Sequence, residues 1–315
     1  MATQDYYYLS QFRNPESRLR ALSEIPLDQP ALIDILLQAL EDPYPGVRFR
    51  AGDRLANLEG VEEKVRALFG NATSKTKQAA LLAFRKEHVE QESEDLVLEY
   101  ALSPREPSLR YHALLALHLF AKESLLKSIS EAIFDDGDDD ALIIAAQWSA
   151  IYLWKDHMGA IKKAFTDSTN KDLGFQLAIS LSKLVSDLSQ MPEGSQAQII
   201  DAVLDDKISM TACQAIARLK ISDAIKTLRR VPNKIFMHEL LKVEAAATRA
   251  MLGEKEGKKA LGKYIEDKRE HVSSYACECT GRYKIDLAKS LRKALKKKDD
   301  RRIAAQNALD ALEKI

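Results

Sequence analysis

Apolar residues return along this chain in groups that share one face of a helix, and the group recurs ten times. In the clearest copy, residues 42–58, Val47, Ala51, Leu55 and Leu58 occupy positions that we number 0, 4, 8 and 11. Successive copies begin 29 to 35 residues apart, and a period of this length is typical of stacked helical units. The pattern therefore predicts ten amphipathic helices whose apolar faces pack inside an array. Position 0 falls at residues 18, 47, 76, 109, 142, 173, 208, 243, 272 and 301.

A second amphipathic segment precedes each of these helices, for example at 31–40, 61–69 and 125–134. The repeating unit is therefore a helical hairpin with a short polar turn between its first and second helices. Side chains in the turns can accept hydrogen bonds from the free amides that open the second helix. The turn residues that predict this role are Asp42, Ser103, Asp135, Asp167, Asp205, Asp267 and Asp299.

The turn Asp, the Val-Arg or Leu-Arg pair at positions 0 and 1, the Ala at 4 and the Leu at 8 resemble the HEAT repeat. The short bacterial form found in phycobilin lyases is the most similar, and 42–58 and 107–120 match best. The resemblance covers nearly the whole chain. It implies an all-α, right-handed α-α superhelix, a HEAT-like solenoid of about ten hairpins, with the second helices on its concave side. Arg18 and Arg301 replace the apolar residue at position 0, which we attribute to terminal units facing water.

The array is predicted to be one domain, residues 1–315, because repeats contact only their neighbours and no Ser/Gly/Pro-rich linker divides them. The segment 189–195, which contains Met191-Pro192-Glu193-Gly194, is the candidate weak joint. Tyr6, Tyr7 and Tyr8 precede the first copy and are expected to cover the open end of the stack.

Composition favours an ordered protein, because 46% of the 315 residues are hydrophobic and only 12 Gly and 9 Pro are present. No apolar run approaches the roughly 20 residues that cross a bilayer, and the polar start lacks a signal-peptide core. Three cysteines are an odd and sparse set for a secreted disulfide scaffold. We therefore expect a cytoplasmic protein without membrane contact.

Charge is unevenly distributed although the formal net charge is zero. Residues 1–222 hold 24 Lys and Arg against 33 Asp and Glu, whereas residues 223–315 hold 23 against 14. Such polarity can steer partners or align copies head to tail, within a Debye length of about 8 Å at physiological salt.

Positions 2, 6 and 9 lie opposite the apolar face of each second helix and are expected to point outward. In the middle repeats these positions are apolar, which predicts a concave groove for an amphipathic helix or an extended apolar segment of another protein. The alternative, burial of this face within the array, remains open. The candidate partner-binding residues are Tyr111, Leu115, His118, Ile144, Trp148, Ile151, Phe175 and Ile179.

Three local patterns that can bind metals have structural explanations. The acidic run 135–140 lacks the ligand spacing of an EF-hand and sits where a helix needs a cap. Cys277 and Cys279 diverge on one helix, so buried thiols are favoured over a zinc site. His238-Glu239 is a single pair, whereas the helical-repeat deoxyhypusine hydroxylases need several. We predict no metal, no cofactor and no catalytic constellation.

The predicted function is therefore a non-enzymatic scaffold or adaptor that binds a protein or peptide on its concave face. The alternative is a nucleic-acid-binding or DNA-repair protein that uses the basic segments 255–263 and 292–302. Trp148, Trp154 and Asp156 invite comparison with helical-repeat DNA glycosylases. The surrounding sequence is acidic and apolar, however, which opposes a phosphate-binding groove.

Overall fold

The computed structural model describes residues 14–28, 31–205, 207–233 and 238–313, and all regular structure within these ranges is helical. Contacts divide the chain into two compact units, Met1–Trp148 and Ser149–Ile315. We number the α-helices in chain order, so that odd numbers denote second helices of the hairpins and even numbers denote first helices. The sequence prediction for Tyr6, Tyr7 and Tyr8 lies outside the described residues.

The first unit contains helices α1 to α8 and most of α9. Their bounds are α1 Pro15–Glu24, α2 Leu32–Ala39, α3 Pro45–Leu55, α4 Glu62–Leu68, α5 Ser74–Leu81, α6 Gln91–Leu102, α7 Pro107–Phe120, α8 Glu123–Asp136 and α9 Asp139–Tyr152.

The second unit begins in the last turn of α9 and contains ten further helices. Their bounds are α10 Met158–Asp167, α11 Lys171–Leu184, α12 Ser195–Ala202, α13 Ser209–Leu219, α14 Ile225–Leu228, α15 Glu239–Met251, α16 Lys255–Ile265, α17 Glu270–Arg282, α18 Ala288–Ala294 and α19 Asp300–Glu313.

Each unit is built from two layers of helices. In the first unit, α1, α3, α5 and α7 pack side by side, and α4, α6 and α8 follow one another in the other layer. In the second unit, α11, α13, α15, α17 and α19 form the odd layer, and each contacts its own even-numbered helix. Ten second helices at the predicted places in the described ranges confirm the all-helical repeat fold. The candidate joint 189–195 lies inside the second unit, and the single continuous array stays a prediction.

The inward positions form the core of both units, as predicted. Val47, Ala51 and Leu55 are at most 1% exposed, and Leu109, Ala113 and Leu117 have no exposed surface. Leu153 is an exception, because the sequence pattern placed it inward at position 11 whereas its side chain is 60% exposed. Helix α9 ends at Tyr152, and Leu153 adopts a left-handed φ of 59°, so it no longer continues the helical face.

The turn before α3 explains why an arginine occupies position 0 of the first repeat. Arg18 is 8% exposed and donates from Nε to Asp42 at 2.7 Å, so our expectation that it faces water was wrong. Asp42 also accepts from the backbone amide of Tyr44 at 2.8 Å, and Arg48 donates to the Asp42 carbonyl at 2.8 Å. Two buried guanidinium groups therefore hold this turn, and position 0 supplies one of them.

The turn aspartates use one recurring geometry. Asp205, Asp267 and Asp299 accept hydrogen bonds from the amides of Lys207, Arg269 and Arg301, two residues onward. Asp299 directly precedes α19 and bonds to the second residue of that helix, so it caps the helix as predicted. The Asp205 and Asp267 bonds end at residues that precede α13 and α17, so these side chains fix the approach to the second helix. Among the helices of the described ranges, none combines the length and apolar character needed to span a membrane.

Candidate partner-binding surface

Aromatic rings form a partly buried row on the odd-numbered layer of the first unit. Phe49 on α3 and His112 on α7 have ring centroids 5.5 Å apart, and α5 packs against both helices. Tyr111 meets the edge of His112 at 5.4 Å. All three rings are half-buried, so they are held in place while part of each remains accessible.

Helix α7 presents three of the predicted site residues on this surface. Tyr111, Leu115 and His118 are each half-buried, and the adjacent Leu119 is 44% exposed. The opposite face of α7 buries Leu109, Ala113 and Leu117 in the core. Helix α7 is therefore apolar on both faces and keeps an accessible apolar strip.

Ile144 and Trp148 on α9 do not face solvent as the position count predicted. Each is only 3% exposed, and the Trp148 ring stacks on His118 at 6.1 Å with an interplanar angle of 17°. These two outward positions of α9 are therefore covered by neighbouring side chains rather than open to solvent. Four buried alanines on α9 allow neighbouring helices to approach it closely: Ala141, Ala145, Ala146 and Ala150.

In the second unit, the predicted residues Phe175 and Ile179 are also buried, at 4% and 5% exposure, whereas Ile151 is 53% exposed. The outward side of α11 is covered at its end by α13, because Arg218 donates to the buried Ser182 hydroxyl at 2.7 Å. The Lys171 ammonium lies 5.1 Å from the centroid of the Phe175 ring. The alternative of burial within the array therefore describes α11.

The structure thus leaves Tyr111, Leu115 and His118 accessible in the first unit and Ile151 in the second. The four buried residues support the surface from beneath or belong to the core. Whether any of the eight contacts a partner stays a prediction.

Two histidines, His118 in the accessible strip and His112 beside it, have pKa values below the usual 6.5. Burial lowers the pKa of His112, with a smaller contribution from the Arg85 charge, and burial alone lowers the pKa of His118. The His112 Nδ1 atom is buried without a hydrogen-bond partner among the described residues. The strip is therefore neutral as well as apolar, which suits an apolar partner.

These two pKa shifts predict a stability loss in mild acid. The unfolded histidines bind protons near pH 6.5, whereas the folded ones resist protonation until the pH is lower. The unfolded state therefore binds more protons in that window, and the free energy of unfolding falls as the pH drops through it. Urea unfolding at pH values of about 7.5 and about 5.5 measures the loss, which the double variant His112→Gln, His118→Gln should reduce. An equal loss in the variant would show that groups other than His112 and His118 cause it. Glu62 and Glu254 do not contribute in this pH range, because their pKa values are below 4.5 and they titrate only in stronger acid.

The second unit contains a buried carboxylate that the sequence pattern did not indicate. Glu244 on α15 has no exposed surface and accepts hydrogen bonds from the hydroxyls of Tyr275 and Tyr283. The Cys279 thiol donates to it at 3.3 Å, and the Arg282 guanidinium donates at 3.3 Å. We call these five residues the Glu244 cluster.

The electrostatics of the Glu244 cluster keep its donors protonated. Burial first and Glu244 second raise the pKa of Tyr275, Tyr283 and Cys279, so each retains the proton it donates. Arg282 supplies the neutralising charge and lies 5.8 Å from the centroid of each tyrosine ring. The cluster ties α15 to α17 with no exposed carboxylate surface, so its role is structural.

A sequence signal for Glu244 existed at position 1 of the repeat. Arg48 and Arg110 occupy the same position in earlier repeats and are buried as well. A charged residue directly after position 0, followed by three alanines as in 245–247, marks a polar group within the core. The hydrogen-bond partners of Glu244 lie in the next repeat, so the sequence of a single repeat does not identify them.

The local patterns that resembled metal sites have other roles. Asp138 accepts from the Ala141 amide at 2.9 Å, which confirms a capping turn at 138–140. Cys277 and Cys279 are buried free thiols, and burial raises the pKa of Cys277 to about 12. His238 accepts from the Leu240 amide at the start of α15, and Glu239 pairs with Arg269.

The tryptophans considered for DNA repair are packed inside the protein. Trp154 is 6% exposed and stacks on Tyr152 at 5.1 Å, and Trp148 is 3% exposed. Neither ring has the free face that insertion beside a base requires. Asp156 is exposed.

Solved structures similar to this chain include an engineered protein and a mutant of Kap121p. No protein-family model matches the sequence, and no curated protein matches it. An engineered protein solved by the Northeast Structural Genomics Consortium is 15% identical over 99% of both chains, with a TM-score of 0.40. A mutant of Kap121p is 12% identical over 99% of this chain, with a TM-score of 0.36, and this chain spans 41% of its length. Both TM-scores are below 0.5, and the fold follows from the helix packing within this chain.

Proposed function

We propose that this protein is a non-enzymatic scaffold or adaptor that binds an apolar helix or an extended segment of another protein. The binding surface is the accessible strip on α7, with Tyr111, Leu115 and His118 at its centre and Leu119 at its edge. The observation that carries the proposal is the partial exposure of this strip on a helix whose other face is in the core.

The strip has properties of a protein-binding hot spot. Tyr111 and His118 each contact another ring, at 5.4 Å to His112 and at 6.1 Å to Trp148, so little side-chain freedom remains to be lost on binding. Tyrosine combines a large apolar area with a polar tip, and such residues dominate binding energy at interfaces. An amphipathic helix that presents apolar residues three and four apart fits a surface of this kind.

Ile151 is a second expected contact, in the second unit. It is 53% exposed, and Leu153 beside it is 60% exposed. The other four candidate residues are buried, so we expect them to stabilise the fold and not to contact the partner: Ile144, Trp148, Phe175 and Ile179.

The test is the binding of a captured partner to a Leu115→Asp variant. A protein isolated from the source organism on the immobilised wild-type chain is purified and titrated by calorimetry. We expect the variant to weaken binding at least tenfold, because an apolar side chain of the partner would cover the new aspartate and remove water from its carboxylate. The heat capacity change of wild-type binding should be negative, since apolar surface is buried.

A matched variant controls for folding and charge. Lys75→Glu lies on α5 of the same layer, changes charge at an exposed position and should bind like the wild type. Circular dichroism should show equal helical content in all three proteins. Unchanged affinity of Leu115→Asp would remove the strip from the interface.

The competing function is binding of nucleic acid by the basic segments 255–263 and 292–302. It is supported by exposed lysines on α16 and by the excess of Lys and Arg in residues 223–315. Duplex binding weakens steeply with salt because counterions are released, whereas docking of an apolar helix changes little. The same titrations at two salt concentrations therefore separate the two functions.

We infer further that the repeats are of HEAT type and that the protein works in the cytoplasm. Proline begins α3 and α7, and Arg48 and Arg110 in these helices donate to carbonyls of the preceding segment, at Asp42 and Ala101. The three cysteines are buried thiols without disulfides, which agrees with a reducing compartment.

A further inference from the structure

Helix α16 carries a stripe of lysines that lack partners. Lys255, Lys258, Lys259 and Lys263 are exposed, and none of them makes an ion pair within the described residues. From Lys255 to Lys263 the stripe spans about 12 Å at 1.5 Å per residue. Glu254 pairs with Arg229 and Arg249, and Glu266 pairs with Lys293. Glu256 on the same helix is exposed and offsets one of the four positive charges, so the stripe keeps a net positive charge.

A groove accompanies the lysine stripe. It has a volume of about 530 Å³ and lies between α16 and the start of α18. Besides the lysines, Gly262, Glu266, the half-buried Leu287 and Ser290 line the groove. The groove therefore offers a small apolar contact bordered by positive charge.

Helix α6, in the even layer of the first unit, carries the complementary stripe. Glu92, Asp95 and Glu99 are exposed on one helix face and make no ion pair with Lys or Arg within the described part of the chain. They span about 10 Å. Leu102 continues the same face and is 44% exposed. The stripe is thus acidic with an apolar residue at its end.

The wider sequence strengthens the complementarity of these two surfaces. Residues 87–148 hold 4 Lys and Arg against 14 Asp and Glu, whereas residues 223–315 hold 23 against 14. Like charge surrounds each stripe, so each would repel its own kind and attract the other at encounter.

We propose that the α6 stripe of one copy docks on the α16 stripe of a second copy, so that molecules associate head to tail. Carboxylates of Glu92, Asp95 and Glu99 pair with the lysines, and Leu102 enters the groove beside Leu287. The two contacting surfaces are different, so the association is heterologous, and a growing row of molecules results unless the geometry closes a ring.

A second copy fits these observations better than a nucleic acid does. Duplex binding draws on many cations, and a stripe of about 12 Å spans only a few phosphates. Lysine is also a compact point charge, without the two-pronged hydrogen bonding by which arginine holds phosphates. The matching acidic stripe, by contrast, exists on this chain. The proposal is independent of the α7 strip, because different helices carry it.

The first measurement is the mass of the full wild-type chain by sedimentation velocity across a concentration series. At about 0.01 M salt, where the Debye length is about 30 Å, the average mass should rise with concentration. At about 1 M salt, where the Debye length is about 3 Å, the protein should return to monomer. A monomer at all concentrations and both salts overturns the proposal.

Charge reversal then tests the two surfaces separately. The first variant, Lys255→Glu, Lys259→Glu and Lys263→Glu, has two acidic surfaces, and the second, Glu92→Lys, Asp95→Lys and Glu99→Lys, has two basic ones. Each variant alone should stay monomeric, whereas an equimolar mixture should associate at least as strongly as the wild type. A matched control reverses three exposed lysines elsewhere and should associate like the wild type: Lys75→Glu, Lys163→Glu and Lys207→Glu.

The mixture makes the test specific to the two stripes. Failure of the mixture to associate, with circular dichroism showing both variants folded, overturns the pairing. Association of either variant alone at the wild-type level overturns it as well. A wild-type chain that remains monomeric yet binds duplex DNA, with loss in the α16 variant, would assign the lysines to nucleic acid instead.

Discussion

Replacing Glu244 by alanine should lower the free energy of unfolding by about 2–4 kcal/mol, because partly buried donors that lose their acceptor cost about 1–3 kcal/mol each. The variant would leave the Tyr275 and Tyr283 hydroxyls and the Arg282 guanidinium without their shared acceptor. It would also leave a cavity between α15 and α17. Thermal unfolding followed by circular dichroism measures the change as a lower midpoint.

The controls separate the loss of the carboxylate from the loss of any glutamate. Glu256→Ala removes an exposed carboxylate on α16 and should change the stability by no more than about 0.5 kcal/mol. Glu244→Gln keeps an acceptor of nearly the same size and should fall between the two. Equal melting of Glu244→Ala and Glu256→Ala would show that the Glu244 cluster does not stabilise the second unit.

Trp148→Ala should cost about 3–5 kcal/mol, as expected for truncation of a large aromatic side chain in a core. Trp148 is 3% exposed and stacks on His118, so the truncation removes packing as well as transfer energy. Its effect on partner binding should be secondary to this loss of stability. Chemical unfolding of the full chain measures the change.

Leu119→Ala is the matched truncation at an accessible position of the same surface. Because Leu119 is 44% exposed, its removal should cost less than about 1 kcal/mol. If Trp148→Ala is as stable as Leu119→Ala but no longer binds the partner, Trp148 is a binding residue rather than part of the core.

The repeat and its inward face could be predicted from the sequence because they are local properties of each helix. Position 0 fell within or directly beside all ten second helices, and Val47, Ala51 and Leu55 are buried as expected. The turn aspartates were also predictable in place. Asp299 caps α19 as expected, whereas the bonds of Asp42 and Asp205 lie in the turns before their helices.

The outward face could not be predicted in the same way because its burial depends on neighbouring repeats. The count of positions treats α9 and α11 as isolated helices with one covered side. Ser182 lies under Arg218 from the next second helix, and Trp148 lies against His118 from the preceding one. Such contacts join residues 30 or more positions apart, beyond the reach of a single repeat pattern.

The buried charges were missed for a related reason. Arg18 and Glu244 are polar residues at core positions, and each is stabilised by partners from the following repeat, Asp42 in one case and Tyr275 and Tyr283 in the other. A sequence pattern that scores each position as apolar or polar treats them as exceptions. Pairing position 0 or 1 of one repeat with the turn or helix of the next would have indicated both.

Site-specific photo-crosslinking tests the proposed function most directly. A benzophenone side chain placed at position 115 on α7 is compared with one at position 63 on α4, where the native Glu63 is exposed in the even layer. With the purified partner bound, the account predicts a crosslink from position 115 and none from position 63. A crosslink from position 63 with none from position 115 would contradict the α7 strip as the binding surface.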